Sequence, residues 1–130
     1  MPRPPMTPGR ICLSLTALAT SITPYLADWS PSHIFNPRWP PHAKFHNGQT
    51  MSLGLTLGIA TAYYTWRDTT KPKDSLRTAA IFGCLYYLAG LSAILYPGAM
   101  GTDPEFGEGF PQAWLFAGLV GLPWLGVWLG

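Results

Sequence analysis

All 3 histidines of this chain, His33, His42 and His46, lie between residues 33 and 46. Of its 6 acidic residues, Asp103, Glu105 and Glu108 share a second short stretch, and Asp28 stands just ahead of the histidines. Imidazole titrates near neutrality, so a histidine beside a carboxylate can both take and give a proton. The same groups ligate metals, and neutral imidazole with carboxylate suits zinc or iron. His42 and His46 stand at i and i+4, so on a helix starting at Pro41 they share one face. Gln49 and Thr50 carry that face onward by another turn. The general-base glutamate of helical metalloproteases is missing from His42-Ala43-Lys44-Phe45-His46.

Three readings of this cluster stand side by side. In the first, His42 and His46 hold zinc or iron, with His33 or an acid of the later stretch as a further ligand. In the second, one of the histidines works with Glu105, Glu108 or Asp28 as general acid and base on an apolar substrate. Trp39, Asn36, Gln49 and Phe106 are then the neighbours that would touch that substrate. In the third, these side chains hydrogen-bond lipid headgroups and cap a proline-rich backbone. Polar residues that reach into a membrane tend to be functional, which keeps the first two readings open.

Other signals are weaker. Tyr86-Tyr87 reads as packing with satisfied hydroxyls, or as the lining of a pocket. The segment from Pro104 to Phe110 reads as a solvated acidic turn or as a lid over a site. Its glycines follow no strand and imply no phosphate cradle. No serine sits in a nucleophile elbow. Cys12 and Cys84 are not in metal or redox spacing and read as small packing residues.

The elements that must position these groups follow from the distribution of charge. Charged residues are 11% of the 130 residues, against 48% hydrophobic; a soluble domain carries about 25%. Mean hydropathy is only +0.14, because 14 Pro and 14 Gly dilute it. No charged side chain occurs between Arg10 and Asp28, His46 and Arg67, Thr78 and Thr102, or from Gly109 onward. Each gap is about long enough for a helix to cross a hydrocarbon core of roughly 30 Å.

The expected fold is therefore all-α, a single integral membrane domain built as an antiparallel bundle of four transmembrane helices. The expected spans are 11–27, 41–66, 76–96 and 111–130, after an extended, proline-rich lead over 1–10. Ala17-Leu18-Ala19 has the pattern of a signal-peptide cleavage site. The apolar run before it, Ile11 to Thr16, is too short for an h-region, so the first span is read as retained. Pro24 and Pro123 are expected to bend their helices. Gly54, Gly58, Gly83, Gly90, Gly118 and Gly121 are expected at helix contacts, Gly54 and Gly58 as a GxxxG pair.

Orientation follows from the cations. Arg3, Arg10, Arg67, Lys71, Lys73 and Arg77 fall on one side, and Arg38 and Lys44 on the other. Both termini are expected to be cytoplasmic, with the histidines and loop acids together on the opposite face. The net charge of +2 and the lack of a basic patch interleaved with aromatics exclude a nucleic-acid binder.

The motif Ala27-Asp28-Trp29, with the run from His33 through Asn36-Pro37-Arg38-Trp39-Pro40-Pro41-His42 to His46-Asn47-Gly48-Gln49-Thr50, resembles the signature of a family of small fungal membrane proteins of unknown function. Leu95-Tyr96-Pro97-Gly98 and Asp103-Pro104-Glu105-Phe106-Gly107 continue the likeness. The resemblance implies a four-helix membrane fold in a fungal setting, with the endomembrane system and the plasma membrane both open, and it carries no established activity from which to transfer a catalytic role. In architecture the chain is also similar to small four-span fungal enzymes acting on hydrophobic metabolites, such as anthrone oxidases, whose motifs it lacks. The leading expectation is a membrane enzyme or binding protein for a small apolar molecule. The alternative is a non-catalytic subunit or scaffold, a homo-oligomer or partner of another membrane protein through the GxxxG face and the aromatic fourth helix. Convergence of histidines and acids on a cavity separates the two.

Overall fold

A computed structural model describes residues 4–130. It contains four helices, α1 (Pro8–Asp28), α2 (Pro41–Trp66), α3 (Pro72–Ala93) and α4 (Ala113–Trp128), and no strand among the described residues. Residues 1–3 of the expected lead lie outside the described residues.

Three helix starts are set by proline at the first turn, where the absent N–H removes a donor that would have no intrahelical partner. α1 begins at Pro8 instead of Ile11 because the Thr7 side chain accepts a hydrogen bond from the Arg10 N–H at 3.2 Å. α3 begins at Pro72 instead of Leu76. Its first turn carries exposed Lys73 and Asp74, and an acid there suits the helix dipole. It ends at Ala93, short of Tyr96, as the chain tightens through Leu95 N–H to Ser92 O. Pro111 and Gln112 form a turn, so α4 starts two residues later than expected.

α1 packs on α2 and α4, and α3 on α2 and α4, with a lesser contact between α1 and α3. Neighbours run antiparallel. The backbone at Gly54 meets Thr20, and that at Gly58 meets Ala17. A Cβ at these glycines would stand 2.8 and 2.7 Å from the two carbonyl oxygens. The Thr20 carbonyl has lost its usual helical donor to Pro24, and the Pro24 ring also lies against Gly54. The GxxxG pair is thus occupied within the chain and is not open to a partner. Gly83 and Gly90 also sit at helix contacts, whereas Gly118 and Gly121 face open space, contrary to expectation, because α4 turns that face outward.

The interior is small and polar. Thr16, Thr20, Thr61, Thr65 and Ser75 are buried around Leu13, Leu76, Ala79 and Ala80. The hydroxyls of Thr16, Thr61 and Thr65 each donate to a carbonyl one turn back in their own helix, which satisfies them without a partner helix. By length and hydropathy, α1 and α3 are able to cross a membrane. α4 is apolar but has 16 residues, and α2 has 26 with a polar first half.

Candidate functional site

The ends of the helices opposite the termini hold the sequence-selected residues. Asp28 closes α1, and its Oδ1 stands 3.5 Å from His33 Nε2. Its Oδ2 accepts the Asn47 side-chain N–H at 2.9 Å. His33 Nδ1 lies 2.9 Å from Ser32 Oγ, which lies 3.0 Å from Ser30 Oγ. Hydroxyl, imidazole and carboxylate thus stand in a row, with hydrogen-bond distance between Ser32 and His33 and a longer ion-pair contact between His33 and Asp28. The short loop folds back to build this row: Ile34 N–H bonds Asp28 O, and the buried Asn36 side chain accepts from Arg38 N–H at 2.9 Å.

A cavity of about 420 Å³ opens beside the Asp28–His33 pair. Asp28, His33, Thr50, Tyr86 and Gln112 give it polar groups, and Leu53, Ile94, Met100, Phe110 and Phe116 are among its apolar walls. Its size falls within the usual range for small-molecule sites, roughly 300–1,000 Å³. Gln112 donates to Gly101 O at 2.6 Å, while its Oε1 has no hydrogen-bond partner. Asn47 Oδ1 is likewise buried and unpaired. A second cavity of about 180 Å³, lined by Ser32, Trp39, Phe106 and Gln112 among others, meets the same His33 and Gln112.

The two loops are tied above these cavities. Arg38 pairs with Glu105, and Trp39 Nε1–H donates to Asp103 Oδ2 at 3.2 Å. Asn36, Trp39 and Glu105 thus line an open groove between the loops. Glu105 is engaged by Arg38 rather than by a histidine; the carboxylate that meets one is Asp28.

His42 and His46 lie elsewhere. Their Nε2 atoms are 3.0 Å apart, His46 Nδ1 is 3.2 Å from Gln49 Oε1, and all three side chains are exposed. Thr50 does line the cavity on the face they share. At 1.5 Å rise per residue, His46 stands about 6 Å and His42 about 12 Å beyond Thr50 along the axis, past the mouth. The three imidazoles are therefore not brought together, and no group of three His, Cys, Asp or Glu able to hold a metal occurs among the described residues. His42 and His46 offer two donors, where a zinc site takes at least three protein ligands.

Sequence reasoning missed Asn47 and Gln112. Each is an amide at the edge of an apolar span, a faint signal beside conspicuous histidines. Tyr86 and Tyr87 divide the two roles considered for them. Tyr87 is fully buried, its hydroxyl 3.4 Å from Thr20 Oγ1, and Tyr86 lines the cavity.

A family profile described as a family of unknown function (DUF6640) matches residues 12–129, nearly the whole chain. The chain belongs to DUF6640. The matched span contains Asp28, His33 and Gln112. No curated protein and no solved structure matches the chain.

Proposed function

We propose that this DUF6640 protein crosses the bilayer four times and binds a small apolar molecule in the cavity beside Asp28 and His33. The membrane reading is supported by an inverted distribution of polarity. α1 turns Ile11, Leu15, Leu18, Ile22 and Leu26 outward and buries Thr16 and Thr20; α3 exposes Ile81, Leu85 and Leu88. Trp114, Trp124 and Trp128 are exposed on α4. Large apolar side chains thus point outward along whole helix faces, and lipid is their natural solvent. α4, about 24 Å long at 1.5 Å per residue, crosses with local thinning or with its interfacial Trp residues as anchors. The cation asymmetry supports cytoplasmic termini with the cavity mouth on the far side, and the motif resemblance supports a fungal setting.

The observation that carries the ligand reading is the cavity itself, apolar on most walls and bordered by the Asp28–His33 pair. An apolar molecule with a hydroxyl or carbonyl fits it. The ring system would lie against Phe110 and Phe116, and the polar group would meet His33, Tyr86 or Gln112. Such a group would be held by hydrogen bonds, a carbonyl accepting from the Tyr86 hydroxyl or a hydroxyl donating to the unpaired Gln112 Oε1, beside the Asp28–His33 pair. The scaffold reading is weaker, because Gly54 and Gly58 are covered by α1 and only the aromatic face of α4 remains for a partner.

The test is mass spectrometry of solvent extracts from protein purified in mild detergent. The wild type should carry one discrete apolar molecule, and Ala93→Trp, which fills the cavity wall, should lack it. Identical extracts would overturn the ligand reading.

A further inference from the structure

At the opposite end of the bundle, another cavity, of about 450 Å³, lies between the start of α1, the α2–α3 connection and Gly130. We propose that it binds a phosphate-bearing anion. Arg10, Arg67 and Lys73 line it, and Asp68 is the one carboxylate side chain on its wall.

Arg10 is the decisive residue, because it is 7% exposed yet forms no ion pair among the described residues. Its Nε–H donates to Thr65 O at 3.0 Å and its Nη1–H to Pro5 O at 3.1 Å. A guanidinium has five N–H donors in a fixed fork, so those two carbonyls orient it and leave donors free. Arg67 is held the same way. Its Nε–H donates to Ser75 Oγ at 2.8 Å, and its guanidinium lies 4.7 Å from the Tyr64 ring centre. Neither arginine is neutralised by the bonds that aim it. A buried guanidinium without a counter-charge is costly, and two oriented forks with a nearby ammonium match the oxygens of a phosphate.

Leu76, Pro4, Pro5 and Pro72 supply apolar wall beside the cations. The cavity therefore accommodates either an inorganic phosphate or the phosphate of an anionic lipid whose chains run along the bundle. Basic pockets of this kind between helices, on the side with excess Lys and Arg, recognise lipid headgroups. The proposal is independent of the Asp28–His33 cavity.

The experiment is a thermal-shift titration of the full chain in neutral detergent with dioleoyl phosphatidic acid, dioleoyl phosphatidylcholine or sodium phosphate, each against a sodium chloride control. Phosphatidic acid should raise Tm by several degrees and phosphatidylcholine should not. Arg67→Gln with Lys73→Gln should weaken the phosphatidic acid response at least about tenfold, in keeping with the loss of charge-assisted bonds. Arg10→Lys, which keeps the charge and loses the fork, should give an intermediate loss. A response to sodium phosphate equal to that of the lipid identifies free phosphate as the source; a response to the lipid alone identifies the membrane. The proposal fails if neither phosphatidic acid acts more strongly than phosphatidylcholine nor sodium phosphate more strongly than sodium chloride. It also fails if the Arg67, Lys73 double variant responds undiminished. That variant changes one half-exposed and one exposed side chain, so the test stands even if substitutions at buried Arg10 unfold the protein.

Discussion

Asp28 Oδ2 accepts the Asn47 side-chain N–H at 2.9 Å, joining the last residue of α1 to the second turn of α2. Asp28 Oδ1 faces His33 at 3.5 Å. The carboxylate thus has a different partner on each oxygen. This amide, not an imidazole, is the α2 side chain that reaches the site's carboxylate.

Removing the amide leaves a partly buried carboxylate short of a donor. Asn47→Ala should therefore cost about 1–3 kcal/mol of stability, read as a lowered Tm in detergent. His46→Ala, on the exposed side of the same turn, should stay within about 0.5 kcal/mol of wild type. Equal effects would mean that Asn47 does not brace Asp28.

Helix contact through glycine gives a second contrast. A Cβ at Gly58 would stand 2.7 Å from the Ala17 carbonyl oxygen, while Gly118 has open space. Gly58→Ala should force α1 and α2 apart and destabilise the bundle by about 1–3 kcal/mol. Gly118→Ala should leave unfolding in denaturing detergent unchanged or slightly harder. A harmless Gly58→Ala would contradict the observed close approach.

The proposed four crossings would place Thr102 and Thr70 on opposite sides of the membrane. In a background with Cys12→Ala and Cys84→Ala, Thr102→Cys and Thr70→Cys should react with an impermeant thiol reagent from opposite faces of sealed vesicles. Reaction of both from the same face would rule out the four-crossing topology.

Much of the helical order was legible because charge gaps mark apolar helices whatever their tertiary contacts. The ends were less so. Prolines 4, 5 and 8 read as an extended lead, yet Pro8 at a first helical position behind a Thr7 cap starts α1 early. Asp28 and His33 stood among the sequence candidates, but which candidates meet was not legible. Helical phase put His42, His46 and Thr50 on one face, and that holds. Phase carries no information on depth, and only Thr50 is deep enough to reach the cavity. Asp28 and His33 meet because the loop folds back on α1, a tertiary event that spacing cannot reveal. Tyr86 and Tyr87 are adjacent and identical in type. Only the packing of α1 and α4 around α3 decides which of them is buried and which faces the cavity.

The central claim, a cavity that holds an apolar ligand beside Asp28 and His33, is tested most directly by photo-crosslinking in native membranes. A benzophenone side chain placed at Ala93, on the cavity wall, is compared with one at Gly118, on the outer face of α4. The account predicts one discrete small adduct at Ala93, absent at Gly118 and lost when His33→Ala is added. The same phospholipid adducts at both positions, insensitive to His33→Ala, would contradict it.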